Sequence, residues 1–363
     1  MTPMHGRANA WFHAALAELT ATTLVTSRGR KAREILHVVT RLPDARQRVL
    51  TVPWRRWNPF WAVAEQVWIL AGSRDAAWIT AYNSRLRDYL DSVDAEAFHG
   101  AYGDRLRHGP RDQLRDVQRQ LQDDPGSRRA VATIHDPARD NPEVPTNDRP
   151  CNCALAYHLR EGALWAATFN RSNDFVLGLT GINLVQFTAI QEFLAASLGA
   201  APGPYTHFSA SLHLYDDDPI AFRLLSHADE AYTFDVYAHV EPTPMRPWQY
   251  PEEGWTTITK LYNGLALDAE ACPYWRSAGA MLAAWAVLKR GELAEAMAHL
   301  ATMAAEDWLI AALEYVHRWA WNRKRLAEFD AAYETIHPRW DARRARYLTD
   351  YIVHDVADLE SQP

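Results

Sequence analysis

Two rhythms of apolar residues alternate along the chain. Residues 8–20, "ANAWFHAALAELT", repeat every three to four positions and predict a helix, whereas "AREILHVVTRL" (32–42) and "QRVLTVP" (47–53) read as strands around the turn "PDAR". "NPFWAVAEQVWILAG" predicts an apolar helix opened by Asn58 and Pro59 and closed near Gly72. A second helix over 75–90, a loop "FHGAYGDRLRHG" (98–109) and a polar amphipathic helix over 112–123 follow.

"RRAVATIHD" then reads as a strand and "PARDNPEVPTND" as a loop. The strands "CALAYHLREG" and "ALWAATFNR" meet at Glu161-Gly162, a hairpin signal. An apolar helix over 183–199 comes next, with further strands at "YTHFSASLHLYDDD" (205–218) and "YTFDVYAHV" (232–240). Past residue 265 the pattern turns to Ala-rich helical periods carrying Trp and Leu. The mixture predicts an α+β chain, divided into residues 1–264 and a helical C-terminal extension over 265–363.

Charge and composition narrow the partners. The net charge is -7, with 48% hydrophobic and 23% charged residues, values of an ordinary globular chain that lacks a basic field for nucleic acid or an anionic membrane. No stretch approaches the ~20 apolar residues of a membrane helix, so the expectation is a cytoplasmic protein with neither nucleic acid nor membrane as partner. Three cysteines, Cys151, Cys153 and Cys272, cannot build a disulfide framework. Any anionic ligand must be held by local arginines.

The candidate chemistry lies in "RPCNCALAYHLREGALWAATFNRSND" (149–174). A turn at 161–162 brings position 151 opposite 171 or 172, so Cys151 and Arg171 become neighbours. A cation there lowers a thiol pKa and grips a phosphate; a core cysteine opposite a surface cation fits the pattern as well. Three aspartates, 216–218, follow a strand as a solvated turn, and no second cluster makes them a metal site.

In order and nearly in spacing, "PC", "RSND", "LGL", "GINLVQF" and "GPYTHFSASLHLY" resemble the thymidylate synthase family and its pyrimidine nucleotide hydroxymethylase branch. Upstream, "AEQVWILAGS", "AYGDRLR", "SRRAV" and "TSRGRKARE" extend the likeness over roughly residues 20–240. The resemblance implies a large mixed β-sheet flanked by helices and a homodimer that shares arginines between subunits. It implies a pyrimidine nucleoside monophosphate as substrate, with 5,10-methylenetetrahydrofolate as cosubstrate and no metal. It also implies roles. Cys151 is the nucleophile that adds to C6, Glu65 organises water and protons, and Tyr102 helps remove the C5 proton. Asp174 binds the folate pterin. Arg28, Arg171 and Ser172, with Arg128 and Arg129 of the partner subunit, hold the phosphate. His213 and Tyr215 bind the ribose and Asn183 the base edge, while Asn152 and Gly178 lie near the base. From the residues alone, His213 and Tyr215 also suit core polar positions, and Asn183 a helix N-cap.

The chain departs from the family synthase at four places. Asn152 stands where a histidine follows the nucleophile, and "LGLTGIN" carries one residue more than Leu-Gly-x-Pro-Phe-Asn. Arg87 and Leu90 fall where tryptophans shield the reacting carbon, and residues 265–363 follow the segment of likeness. Without the aromatic shield, water rather than hydride reaches the C5 methylene. The expected product is therefore hydroxymethyl, with a thymidylate synthase that methylates dUMP, or a nucleotide-binding homologue without catalysis, as the alternatives. CMP is the first expected substrate and dCMP the second, although Asn183 suits either base by turning its amide.

Overall fold

The computed structural model describes residues 4–27, 29–228, 234–341, 345, 348–349 and 351–352. Among them one mixed sheet forms the frame. Its strands are β1 (Met4–His5), β2 (Leu24–Ser27), β3 (Arg30–Leu42), β4 (Val131–Thr133), β5 (Asn152–Arg160), β6 (Ala163–Asn170), β7 (Asn173–Asp174) and β8 (Ala201–Tyr215). The main path runs β1-β3-β8-β6-β5-β4, with β2 on β3 and β7 on β8. β6 and β8 run parallel whereas β3 and β8 run antiparallel. The β5–β6 turn uses left-handed backbone at Glu161 (φ 52°) and Gly162 (φ 75°), the combination a two-residue hairpin needs.

Helices cover one face of this sheet. They include α1 (Ala8–Thr20), α2 (Pro59–Leu70), α3 (Ala76–Thr80), α4 (Tyr102–Arg107), α5 (Gln113–Asp123) and α6 (Leu184–Ser197). Asn58 accepts from the Trp61 N–H at 3.1 Å and so caps α2, as the sequence predicts. α2 and α6 are buried nearly all round, which explains their lack of a polar stripe. They touch through Gln186, whose Nε2 donates to the Ala62 carbonyl at 3.0 Å.

After α7 (Ala221–Ser226), the later helices are α8 (Glu253–Tyr262), α9 (Pro273–Lys289), α10 (Leu293–Ala301), α11 (Glu306–Trp321) and α12 (Leu326–Tyr333). Trp285 of α9 packs on Phe60 with ring centres 5.5 Å apart, and Trp308 of α11 lies 5.7 Å from Trp57. Beneath them a buried Arg48–Glu192 ion pair (2.5 Å) sits near Asp307 of α11, which accepts from the Tyr237 hydroxyl at 3.1 Å. The later helices thus brace α2.

Several sequence expectations change. Residues 47–53 form no strand, although 48–52 are buried, because side chains take their backbone donors: Thr51 N–H donates to Asn9 Oδ1 (3.0 Å) and Val49 N–H to the Tyr237 hydroxyl (2.9 Å). The helix expected over 75–90 breaks into α3 and a 3-10 turn, Ser84–Tyr89, because the Asn83 side chain accepts from the Arg85 N–H and starts a new turn. The loop at 98–109 contains α4. Of the strand expected at 232–240, residues 232 and 233 lie outside the described residues, and Val236–Ala238 form a 3-10 turn whose Tyr237 N–H is taken by the Asp235 side chain.

The outer face of the sheet is unusual for a solvated face. Val131, Trp165, Phe169 and Leu36 are exposed there, and Phe169 stacks on Phe208 at 4.9 Å.

Candidate active site

A cavity of about 210 Å³ opens between α2, the 3-10 turn at 84–89, the 98–102 loop and the start of α6. Its wall brings together Glu65, Tyr102, Cys151, Ser172, Asp174, Gly178 and Asn183, seven of the residues singled out from sequence. Its apolar lining includes Trp61, Trp68, Ile79, Phe98 and Leu177.

Cys151 stands just before β5. The Arg171 N–H donates to its carbonyl at 2.9 Å, which fixes the pairing the hairpin predicts. A register shift between Asn152 and Ala154 forms a bulge directly after it. Bulges re-aim side chains, and this one lies where the thiol turns into the cavity. The Arg171 guanidinium braces the same turn, donating from Nε to the Pro150 carbonyl (3.1 Å) and from Nη2 to the Arg149 carbonyl (3.0 Å). Arg171 is exposed beside the cavity rather than part of its lining.

Two groups on the α2 and α4 side carry the unusual electrostatics. Burial pushes the Glu65 carboxyl up to about 8, only partly offset by the nearby Trp61 indole. Glu65 Oε2 and Trp61 Nε1 are both buried without a hydrogen-bond partner among the described residues. Burial, followed by the charge of Cys151, holds the Tyr102 hydroxyl well above the usual phenol range. That hydroxyl accepts from the Asn152 N–H at 3.3 Å, and the ring stacks on Phe187 at 5.9 Å. Gly103, the next residue, must be glycine because a Cβ would come within 2.6 Å of the Ile69 carbonyl.

The opposite wall starts with a winding of the helix. Phe175–Asn183 form a π-helical stretch, with the Leu184 N–H donating back to the Leu179 carbonyl. A π turn takes up one residue more than an α turn, so the extra residue of "LGLTGIN" is absorbed and Asn183 still faces the cavity. Asn183 lies inside a continuous helical run and makes no cap hydrogen bond. Its Nδ2 instead donates to Asn173 Oδ1 at 3.0 Å.

Other expected site residues fall elsewhere. Asn152 is buried behind the wall with its Nδ2 donating to Asn170 Oδ1 at 2.7 Å, because the bulge turns it away from the thiol. His213 and Tyr215 end β8 outside the cavity lining, packed edge to face at 4.9 Å. His213 pairs in register with Asp174; burial lowers the His213 pKa and raises that of Asp174, and the charge of each partner opposes the shift of the other. Arg128 and Arg129 are exposed before β4 and do not line the cavity. Arg28 lies outside the described residues. Arg87 and Leu90 do not line the cavity, because the 3-10 turn points Leu86 and Tyr89 inward in their place. Asp217 and Asp218 are ion-paired with Arg30 and Arg85, and among the described residues no group of three or more His, Cys, Asp or Glu could hold a metal ion.

Sequence reasoning missed Asn173 and Asp148. Asn173 occupies the variable position of the Arg-Ser-x-Asp run, and its partners, His207 and Ser209, sit 34 and 36 residues later. Their signal is two buried polar residues two positions apart on one strand. Asp148 reaches the cavity with one oxygen held by the Gly100 N–H at 2.7 Å.

The thymidylate synthase family model matches residues 25–231, more than half of the chain. The protein belongs to the thymidylate synthase family. It is therefore a member of a family of one-carbon transferases built on a mixed sheet flanked by helices. Over 206 residues it is 39% identical to a deoxyuridylate hydroxymethyltransferase of Bacillus phage SP01, covering 54% of this chain and 53% of the relative. The chain thus spans about half the length of that relative. A deoxyuridylate hydroxymethyltransferase of Pseudomonas phage M6 is 30% identical over 322 residues, 85% of this chain and 86% of its own. A putative thymidylate synthase of Methanosarcina barkeri is 36% identical over 146 residues, 38% of this chain and 65% of its own. The Pseudomonas phage match exceeds the family core, so its likeness to this thymidylate synthase family member includes part of the later helices. No helix among the described residues is long and apolar enough to cross a membrane.

Proposed function

We propose that the protein hydroxymethylates C5 of deoxyuridylate, taking the one-carbon unit from 5,10-methylenetetrahydrofolate. The observation that carries this reading is the shared cavity: Cys151, Glu65, Tyr102 and Asn183 face one space, as addition to a pyrimidine requires. The names of the phage relatives supply the base and sugar. The sequence reading placed CMP first and dCMP second; those names and Asn183 move deoxyuridylate ahead of both.

In this reading the Cys151 thiolate adds to C6, which gives C5 the character of an enamine carbon. C5 then takes the one-carbon unit that the folate supplies. The C5 proton leaves toward Tyr102 and the bond from the new carbon to the folate nitrogen breaks, so that tetrahydrofolate departs and an exocyclic methylene remains; water adds to that methylene, and the Cys151 thiolate is then expelled from C6. Glu65, largely protonated at neutral pH, serves as a proton donor near the base. Water enters at the mouth, which is covered by the exposed turn carrying Leu86 and Tyr89 rather than by indoles. Asp148 adds an acceptor to that otherwise apolar wall.

The folate suits what remains of the cavity. Trp68, Phe98 and Ile79 offer an apolar bed, and the unpartnered Trp61 Nε1 and Glu65 Oε2 offer polar contacts to a heteroaromatic ring. Asp174 is retained as a pterin contact, and Arg171, Ser172 and Arg28 as phosphate contacts. His213 and Tyr215 are retained as ribose contacts at the cavity's edge. The apolar outer face of the sheet supports a homodimer that brings the partner's Arg128 and Arg129 to the phosphate. The site is carried within residues 1–264, and α9 and α11 of the segment that follows brace α2.

The test is incubation with methylenetetrahydrofolate and each of dUMP, dCMP, CMP and UMP, reading product mass and dihydrofolate. A hydroxymethyl product from dUMP without dihydrofolate is expected. A methyl product with stoichiometric dihydrofolate would overturn the hydroxymethyl reading, and turnover confined to CMP or dCMP would overturn the base.

A further inference from the structure

Behind Asn183 runs a line of buried polar groups. Asn183 Nδ2 donates to Asn173 Oδ1 at 3.0 Å, and Asn173 Nδ2 faces His207 Nε2 at 2.8 Å and donates to Ser209 Oγ at 3.1 Å. His207 Nδ1 lies 2.8 Å from the Tyr205 hydroxyl. Tyr205 and His207 are fully buried, Asn173 is 1% exposed and Asn183 4%. Room for the Asn173–Asn183 pair exists only because residue 178 is glycine: a Cβ there would stand 2.6 Å from Asn173 Oδ1.

An amide offers a base either its oxygen or its NH2 group, and these select opposite partners. The oxygen accepts from N3–H of uracil, while the second amide hydrogen donates to O4. The reversed amide instead meets N3 and the amino group of cytosine. We propose that Asn173, oriented by His207 and Tyr205, fixes the Asn183 amide with its oxygen toward the base and makes the site selective for uracil. The inference rests on the nucleotide reading above and adds what enforces the base choice.

The direction of each link follows from its neighbour. Asn173 Oδ1 has no hydrogen, so it takes the NH2 end of Asn183. Asn173 cannot turn over while its own NH2 has two acceptors in His207 Nε2 and Ser209 Oγ. His207 accepts at Nε2 only as the neutral tautomer with its hydrogen on Nδ1, and that hydrogen has the Tyr205 oxygen as acceptor. Burial keeps the imidazole neutral, with its pKa pushed down to about 3. The base choice is thereby transferred from a residue that could serve either base to a buried chain that allows one.

The experiment compares kcat/KM for dUMP and dCMP in wild type, Asn173→Ala, Asn173→Asp and His207→Phe. Asn173→Ala and His207→Phe are expected to lower the dUMP/dCMP ratio about tenfold, since each releases the Asn183 amide. Asn173→Asp keeps an acceptor toward Asn183 and is expected to retain the ratio. Parallel loss on both substrates at a constant ratio would overturn the proposal and leave the chain a packing element. Wild-type preference for dCMP would overturn the nucleotide reading first and this inference with it, so the two failures are distinguishable. Nitrogen-15 NMR of the wild type gives a check that needs no variant: His207 with its proton on Nδ1 is expected, and a proton on Nε2 would refute the relay.

Discussion

The two polar walls of the cavity are built on opposite plans. On the Asn183 side every link from Tyr205 to Asn183 has a partner at 2.8–3.0 Å, and the groups are buried in fixed roles. On the Glu65 side buried polar atoms stand unpartnered and a carboxyl is forced toward its neutral form. A satisfied buried network is rigid, which suits recognition. An unsatisfied one holds free energy in reserve, and ligands or protons that arrive during turnover release it. In the proposed reaction one wall reads the base and the other handles protons.

Removing the nucleophile between these walls is expected to have the largest effect. Cys151→Ala should abolish covalent addition and with it exchange of the C5 hydrogen, a loss of at least about 10⁴ in turnover. Nucleotide binding should survive, because the Asn183 wall is untouched. Tritium release from C5-labelled dUMP, beside equilibrium binding, separates the two. Unchanged release in Cys151→Ala would mean the thiol is not the nucleophile.

Glu65→Gln comes next. It keeps shape and removes the proton, so kcat should fall about 10²- to 10⁴-fold, with a smaller change in KM. The variant also carries a stability signature. A carboxyl whose folded pKa lies near 8, above its unfolded value of 4.5, binds more protons folded than unfolded. The unliganded wild type should therefore lose stability as pH rises from about 4.5 to 8. Glu65→Gln should show a flatter slope over that window. Thermal midpoints at stepped pH measure it, and equal slopes in both proteins would assign the pH dependence to other groups.

These walls were unequally legible in the sequence. Cys151, Glu65, Tyr102 and Asn183 stand in local runs that a reader can match, and the Glu161-Gly162 turn fixes the register that pairs 151 with 171. Asn173 carries no local mark, since its meaning depends on His207 from a strand that reaches it only after the sheet assembles. The segment at 47–53 misleads for the same reason: its composition is that of a strand, but its donors go to Asn9 and Tyr237. Arg87 and Leu90 were placed by position alone, and the phase of a 3-10 turn put Leu86 and Tyr89 inside instead. Local chemistry is written in sequence; side-chain partners supplied by distant strands are not.

Gly178→Ala tests the tightness of the recognition wall. Its Cβ would collide with Asn173 Oδ1 at 2.6 Å. Overpacking of this kind costs about 1–3 kcal/mol, and the displaced Asn173 should narrow the dUMP/dCMP preference by several-fold, on the order of one such increment. The Glu65 side should be spared. C5 hydrogen exchange at saturating dUMP should therefore fall less than the preference does, and a uniform loss would mean the two walls are mechanically one.

Tyr205→Phe probes the far end of the relay and should have the smallest effect. The hydroxyl touches no part of the cavity lining, and its link to Asn183 runs through His207 and Asn173. Without it, His207 Nδ1–H is left buried without that acceptor, a cost of about 1–3 kcal/mol to folding. The imidazole then gains from moving its hydrogen to Nε2, where it would oppose the Asn173 NH2 group. The preference for uracil should therefore weaken about two- to fivefold, less than the tenfold of His207→Phe, because only the bias on the tautomer is lost. The dUMP/dCMP ratio and the His207 nitrogen shifts, read on the same variant, check the point together. A shift of the proton to Nε2 with an unchanged ratio would break the link between tautomer and base choice, and the recognition wall would then owe its rigidity to Ser209 and the packing at Gly178.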